Sequence, residues 1–159
     1  MIGLNVFKEY FRDYTQQYVL IGGAACDIIF EEQDTTFRAT KDLDMVLIVE
    51  AITPEFGRRF WQFVRDGGYE NRAKGTGLPQ LYRFEKPKTV GFPYMIELFS
   101  KTEDMLRSED ASPCVPLPLG DDLSSLSAIL LNEDYYSMLL KGRLVLYVDE
   151  KDIKMMLCD

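Results

Sequence analysis

The stretch from Tyr18 to Glu50 constrains the fold most, because it joins two apolar runs through a double glycine and a polar interval. The first run, YVLI, ends at Gly22-Gly23, and the residues after it favour a helix over Ala24–Glu32. A polar loop then leads to the nearly continuous apolar run Leu43–Val49, which is typical of a central strand covered on both faces. The stretch therefore predicts a strand, a helix and a second strand within one α/β unit.

An acidic pair opens the second apolar run. Side chains alternate along a strand, so Asp42 and Asp44 are expected on one face and Leu43 in the core. Adjacent carboxylates repel each other and raise a pKa unless a cation lies between them. Oxygen ligands suit Mg²⁺, which proteins usually hold with one or two carboxylates and substrate phosphates. The alternatives are a solvated turn that enters a strand and a pair of helix-like caps.

The double glycine before the helix suggests a phosphate site. Glycine lets the backbone approach a bulky anion, and the first N–H groups of the following helix face such an anion. Taken alone, Gly22-Gly23 is more often an ordinary strand-to-helix turn. Combined with a Mg²⁺ clamp at Asp42 and Asp44, the pattern favours phosphoryl or nucleotidyl transfer.

The order Gly-Gly, helix, Asp-x-Asp resembles the nucleotidyltransferases of the DNA polymerase β-like superfamily. Within that superfamily, the segment RATKDLD most resembles the AbiEii-type toxin nucleotidyltransferases. The resemblance covers roughly residues 15 to 100 and weakens afterwards. It implies an α/β (α+β) fold with a mixed sheet and flanking helices. It also implies transfer of NMP from an NTP to an acceptor hydroxyl, with two Mg²⁺ ions or, alternatively, Mn²⁺ as cofactor.

The resemblance assigns catalytic and metal-binding roles to three acids. Asp42 and Asp44 are two of them, and Glu97 in the segment MIELF is the third, at a position where the family more often has Asp. Without histidine, the acceptor hydroxyl would be activated by the metal or by an acid, most plausibly Glu97. The alternative for Glu97 is the exposed face of an edge strand.

The resemblance also assigns nucleotide-binding positions. Gly22, Gly23 and Ala24 correspond to the triphosphate loop, although many relatives have Ser where this chain has Ala24. Arg38 and Lys41 resemble basic residues of the family motif and are expected to bind phosphate or to orient the aspartates. For Lys41 a solvated loop charge is an equally good interpretation.

Three further basic residues flank the loop that contains Gly75 and Gly77. They are expected at the solvated surface, with contact to the nucleotide or the acceptor as the alternative. These residues are Arg72, Lys74 and Arg83.

Composition narrows the function classes. The 18 basic and 26 acidic residues give a net charge of −8, which disfavours non-specific nucleic-acid binding without excluding an RNA acceptor such as tRNA. The absence of histidine excludes Ser-His-Asp triads and His-ligated zinc sites. Three widely separated cysteines are typical of free thiols in a reducing compartment. No signal peptide and no apolar run of about 18 residues are seen, so we expect a bacterial cytoplasmic protein without a membrane span.

The remaining sequence predicts further helices and strands in a single domain over residues 1–159. The expected helices are Leu4–Gln17, a helix from Pro54 to Gly67, Leu123–Leu131 and Asp134–Leu140. The expected strands are Tyr69–Ala73, Gln80–Glu85, Pro93–Phe99 and Arg143–Val148.

The C-terminal part is short compared with the resembling family, whose members often carry a further C-terminal helical region. The resemblance therefore implies a minimal form, a truncated form or a protein that relies on a homodimer or a partner protein. The second functional hypothesis is a non-catalytic module of the same fold that binds a partner, as in a toxin–antitoxin-like pair. Ala24 favours this alternative, whereas the retained Asp42 and Asp44 favour the enzyme.

Overall fold

One mixed β-sheet with helices on both faces organises the chain. The computed structural model describes residues 2–25, 41–71, 75–78, 80–101, 114–116, 126–141, 144–148 and 151–155 of the 159. The strands are β1 (Tyr18–Ile21), β2 (Asp42–Leu47), β3 (Arg83–Glu85), β4 (Met95–Ser100), β5 (Cys114–Pro116), β6 (Ser127–Leu130), β7 (Leu144–Val148) and β8 (Lys151–Met155). The helices are α1 (Leu4–Phe11), α2 (Pro54–Gly67) and α3 (Glu133–Lys141), with a 3₁₀ turn at Arg12–Tyr14.

The strand order is β5-β6-β4-β2-β1-β8-β7, and β3 pairs with β4 off this path. β2 runs antiparallel to β1 and parallel to β4, so both neighbours of β2 are fixed by regular pairing. The second edge of β4 is shared, because β3 pairs along its first half and β6 along its last two residues. The prediction of a mixed sheet with flanking helices is thereby confirmed.

The larger core lies on the sheet face that α1 and α2 cover. Helical spacing puts Leu4, Phe7 and Phe11 of α1 on one buried stripe. Buried residues of α2 meet them, and Phe63 approaches Phe11 with ring centroids 5.4 Å apart. From the sheet, alternate residues of β2 and β4 enter the same core. They are Leu43, Met45, Leu47, Ile96 and Leu98.

Local signals set both ends of α2. The Thr53 hydroxyl accepts a hydrogen bond from the Phe56 N–H at 3.3 Å, and Pro54 occupies the first helical position, where no N–H is needed. Gly68 ends the helix in the left-handed conformation, with φ of 64°. The predicted helix from Pro54 to Gly67 is confirmed.

A smaller core lies on the opposite sheet face. Val19, Val46 and Ile48 pack there against Tyr136 and Leu139 of α3. This cluster covers the end of the face where β2 finishes. Asp42 and Asp44, at the start of β2, share this face, and Ile21 of the same cluster is the register partner of Asp44.

The predicted helix Leu123–Leu131 is wrong in its described part, where Ser127–Leu130 forms β6. This strand pairs with β4 through Phe99 and with β5 through its other edge. A short apolar run does not by itself distinguish a buried strand from a helix, and sheet pairing decided the outcome. Residues 121–125 lie outside the described residues.

Other predicted boundaries also changed. The first helix ends at Phe11, and the 3₁₀ turn replaces its expected last residues. Within the described part of Tyr69–Ala73 there is a single bridge from Glu70 to Glu85. The expected strand Gln80–Glu85 is confined to β3. The strand β8 was not predicted, whereas the helix Asp134–Leu140 is confirmed as α3.

In the part of the chain that the structure describes, no helix combines the length and the apolar character required to cross a bilayer.

Replacing Phe60 by Ala is expected to lower the free energy of unfolding by about 3–5 kcal/mol. The Phe60 ring is fully buried and lies 5.3 Å from Phe84 and 6.1 Å from Phe11, centroid to centroid. The truncation therefore leaves a cavity between helix and sheet. Urea unfolding measures the loss. Arg58→Ala on the exposed side of α2 serves as the control and is expected to change stability by less than about 1 kcal/mol. If Phe60→Ala lowered the free energy of unfolding by no more than Arg58→Ala does, the result would contradict the position of Phe60 in the core.

Candidate functional site

The candidate site begins where β1 ends. All four residues of β1 are buried, and the chain turns at Gly22 with φ of 66° before helical backbone over residues 22–25. A Cβ added at Gly22 would lie 2.9 Å from Oδ2 of Asp44. The left-handed backbone favours glycine at this position, and an added methyl group would require the Asp44 carboxylate to shift. The turn at Gly22 and the carboxylate of Asp44, separated in sequence, therefore lie close together.

The position after the two glycines faces the core. The methyl group of Ala24 is fully buried in the larger core together with Ala25. Its side chain therefore packs against apolar residues, and only the backbone of this position remains to meet an anion. The side chain at this position thus serves packing.

The pairing of β2 with β4 brings Asp44 and Glu97 side by side. The two residues are register partners on adjacent parallel strands, which places their Cα atoms about 4.8 Å apart and their side chains on one face. Asp42 lies two residues earlier on β2, so it shares that face. The structure therefore collects the three predicted acids at one end of the sheet.

Glu97 does not lie on an edge strand. β4 has β2 on one side and β3 on the other at this level, and the Glu97 side chain is only 14% exposed. The alternative of an exposed edge position is therefore wrong. A carboxylate this well covered needs a compensating partner.

Arg83 is that partner. It is the register neighbour of Glu97 on β3, and its Nε donates to Glu97 Oε1 at 2.6 Å, with a second guanidinium nitrogen 2.5 Å from the same oxygen. The contact raises the pKa of Arg83. Arg83 lies at the surface as predicted, with its side chain 40% exposed, but its guanidinium binds Glu97. The sequence did not indicate this ion pair, because sequence separation hides the cross-strand pairing of β3 with β4. An Arg aligned opposite an acid in alternating strands is the signal that would have identified it.

The acid cluster changes the protonation of Asp44. Burial raises the pKa of Asp44 to about 6, with further contributions from the charges of Glu97 and then Asp42. From the sequence, repulsion within the Asp42–Asp44 pair was the expected reason for a raised pKa. Burial is the larger cause, and the neighbour across the strands acts more strongly than the one along the strand.

The donor set fits one divalent cation better than two. Carboxylate oxygens are the ligands that Mg²⁺ prefers, and a site with one or two of them plus substrate phosphates is usual. Among the described residues, however, no group of three or more acids, cysteines or histidines is spaced to hold a metal ion. Glu97 directs one oxygen to Arg83. Asp42 and Asp44 are the residues that could hold one ion, and a ligand role for Glu97 would require the Arg83 contact to change.

Of the other basic residues predicted near the site, only Lys41 lies within the described part of the chain. Lys41 is exposed at the entry to β2, and its carbonyl accepts a hydrogen bond from the Tyr94 N–H at 3.0 Å. Arg38, Arg72 and Lys74 lie outside the described residues.

A second polar cluster lies at the opposite ends of β2 and β4. The Lys101 ammonium is 2.5 Å from Oε1 of Glu50, and the Tyr136 hydroxyl donates to Oε2 at 2.9 Å. Burial raises the pKa of Glu50, but these hydrogen bonds outweigh it and the net shift is downward. The cluster ties α3 to the sheet, and we interpret it as structural.

Searches of protein-family models, curated proteins and solved structures found no match to this chain.

Gly22→Ala is expected to lower the free energy of unfolding by about 2–3 kcal/mol. The change combines left-handed backbone strain with a contact against Asp44. Gly77 is a matched control, because it has φ of 67° and nothing lies within 4 Å of an added Cβ there. Gly77→Ala is expected to cost about 1 kcal/mol for the backbone alone. Urea unfolding compares the two variants, and combining Gly22→Ala with Asp44→Ala should recover the excess. Equal losses at both glycines would contradict the contact.

The raised pKa of Asp44 makes stability depend on pH. The folded protein holds a proton on Asp44 up to about pH 6, whereas the unfolded chain releases it near pH 3.8. Stability from this group is therefore present below about pH 4 and is lost as the pH rises to 6. Because the residue is partly exposed, we expect a loss of about 1–2 kcal/mol. Urea unfolding at pH 4.5 and 7.5 tests this. Asp44→Asn should gain stability relative to wild type as the pH rises, and a constant difference would refute the shift.

Proposed function

We propose that the chain is a Mg²⁺-dependent nucleotidyltransferase with a nucleotidyltransferase-like arrangement of β1, β2 and β4. The observation that carries the proposal is the in-register neighbourhood of Asp44 and Glu97, with the Gly22 turn in contact with Asp44. An acidic site bounded by a turn from a buried strand suits a metal–triphosphate complex. The resemblance of the Gly-Gly and Asp-x-Asp segments to those of the DNA polymerase β-like nucleotidyltransferases supports the same proposal.

The proposed reaction moves a nucleoside monophosphate. The oxygen of an acceptor hydroxyl forms a bond to the α-phosphorus of the NTP, the bond from that phosphorus to the β-bridging oxygen breaks, and pyrophosphate leaves. The hydroxyl proton passes to a carboxylate or to solvent. Acceptor classes that fit are hydroxyls of RNA such as tRNA, of a protein or of a small molecule, and the net charge of −8 favours the smaller ones.

Each acid has a proposed role in this reaction. Asp42 and Asp44 would hold Mg²⁺, which when bound supplies positive charge against the triphosphate. Glu97 was expected to be the base, but the guanidinium of Arg83 contacts its Oε1 and competes with a proton for that oxygen. A base role for Glu97 is therefore proposed only with Arg83 displaced. The backbone over residues 22–24 would contact the phosphates.

A second candidate is a non-catalytic module of the same fold that binds a partner protein. The ion pair between Glu97 and Arg83 favours it, because a fixed guanidinium already compensates the third acid. The core position of Ala24 supports it as well, since no hydroxyl is offered to a phosphate there.

Thermal unfolding with each of the four NTPs, with and without Mg²⁺, is expected to show a Mg²⁺-dependent rise in Tm for at least one nucleotide. Binding to the folded state raises Tm by mass action. Asp44→Asn is expected to abolish the rise, because it removes a proposed metal ligand.

The control for this experiment is Asp13→Asn, which removes the same charge from an exposed position on the 3₁₀ turn. It should leave the nucleotide-dependent rise unchanged. If no NTP shifts wild type at millimolar concentration, the nucleotidyltransferase proposal fails and the non-catalytic module is favoured. If a rise persists in Asp44→Asn, the nucleotide binds elsewhere.

A further inference from the structure

A transverse row of side chains crosses the sheet at the candidate site. Ile21, Asp44, Glu97 and Arg83 are successive register partners on β1, β2, β4 and β3. Register partners share a sheet face, so Glu97 lies between an acid and a guanidinium. Its carboxylate thus experiences repulsion from Asp44 and attraction from Arg83.

The ion pair in this row is asymmetric. The Glu97 side chain is 14% exposed, whereas that of Arg83 is 40% exposed, so the guanidinium reaches solvent and the carboxylate scarcely does. Both guanidinium contacts go to Oε1 of Glu97. Arginine presents its donors in a planar fork that matches two oxygens of a carboxylate or a phosphate. In this ion pair the fork converges on a single oxygen, and it can exchange toward an anion that arrives from solvent.

The charges at the site set what such an anion requires. Asp42, Asp44 and Glu97 carry up to three negative charges, and Arg83 compensates one. A triphosphate would meet strong repulsion here unless cations accompany it. A divalent cation at the aspartates takes over the compensation of the acids. With the acids compensated by the divalent cation, Arg83 is no longer needed at Glu97. It lies on the same row and can turn to a phosphate oxygen.

We propose that Arg83 alternates between two partners, Glu97 in the unliganded protein and a phosphate oxygen of the nucleotide in the metal-bound protein. This inference rests on the proposed nucleotidyltransferase function and makes Arg83 the residue that links metal binding to nucleotide binding. While Arg83 holds Glu97, it weakens divalent-cation binding by competing for the carboxylate. Once the cation is bound, the released guanidinium strengthens binding of the triphosphate.

The test uses two probes, Mn²⁺ alone and inorganic triphosphate with Mg²⁺. Mn²⁺ affinity is measured by electron paramagnetic resonance of the free ion, and triphosphate affinity by calorimetry. Arg83→Gln is expected to bind Mn²⁺ about threefold or more tightly, because a competing cation is gone. The same variant is expected to bind triphosphate ~10-fold more weakly, because a charge-assisted contact is lost.

Two further variants keep the test interpretable. Arg83→Lys retains the charge without the fork, and we expect Mn²⁺ affinity near wild type with triphosphate affinity between the other two proteins. Arg58→Gln removes an exposed arginine that pairs with Glu55 on α2, and it should change neither affinity. Cooperative thermal unfolding checks that every variant is folded. If Arg83→Gln does not fold, the Arg83→Lys affinities decide the question.

Tighter binding of Mn²⁺ together with weaker binding of triphosphate in Arg83→Gln supports the exchange of Arg83 between Glu97 and phosphate. If both affinities rise, Arg83 only blocks Glu97, and if both fall, its role is structural; each result overturns the proposal. Unchanged affinities overturn it as well. If wild type shows the Mg²⁺-dependent Tm rise with an NTP while Arg83→Gln binds both probes normally, the exchange fails and the nucleotidyltransferase proposal stands. If wild type binds no nucleotide, both proposals fail.

Discussion

The parallel pairing of β2 with β4 is the interaction on which the rest of the structure depends. Its register, from Asp42 opposite Met95 to Val46 opposite Phe99, decides what meets at each end. At one end it sets Asp44 beside Glu97. At the other end it precedes the cluster in which Lys101, just after β4, binds Glu50. Because a slip of one residue would exchange the faces of a strand, the register also assigns Leu43 and Ile96 to the larger core and the acids to the opposite face.

The acidic end of the sheet is tolerated because stability comes from elsewhere. Burial of the Asp44 carboxyl and its acidic neighbours disfavours the charged form, which is why its pKa rises to about 6. On the opposite face, aromatic rings of α1 and α2 form a closely packed core against alternate residues of the same strands. At the start of β2 the two faces therefore differ, because Leu43 and Met45 pack into the larger core while Asp42 and Asp44 place charge on the opposite face. A protein gains nothing in stability from clustered acids, so such a cluster favours a binding or catalytic role.

Sequence patterns anticipated the elements whose signals are local. The Thr53-Pro54 start and the Gly67-Gly68 end of α2 are chemical signals that operate within a few residues. The acidic pair and the glycine turn were also recognisable in the sequence, although the close approach of Gly22 to Asp44 was not. Pairing between distant segments was harder to predict from the sequence. Such pairing makes a strand, β6, of an apolar run whose pattern resembled a helix. It also aligns Arg83 on β3 with Glu97 on β4. The most informative contact of the candidate site thus arises from register, which a single sequence does not display.

The two functional proposals differ in which cation compensates Glu97. If Arg83 stays on Glu97, the third acid is permanently neutralised, and a two-carboxylate site with a buried Ala24 methyl group suits a binding module. If the guanidinium leaves, Glu97 becomes the third oxygen ligand that a two-metal site requires, and Arg83 becomes a phosphate ligand. The greater exposure of the Arg83 side chain, 40% against 14% for that of Glu97, favours departure of Arg83 over departure of Glu97. An arriving anion meets the arginine first, so the exposures favour exchange of Arg83, whereas a pair that stays closed favours the binding module.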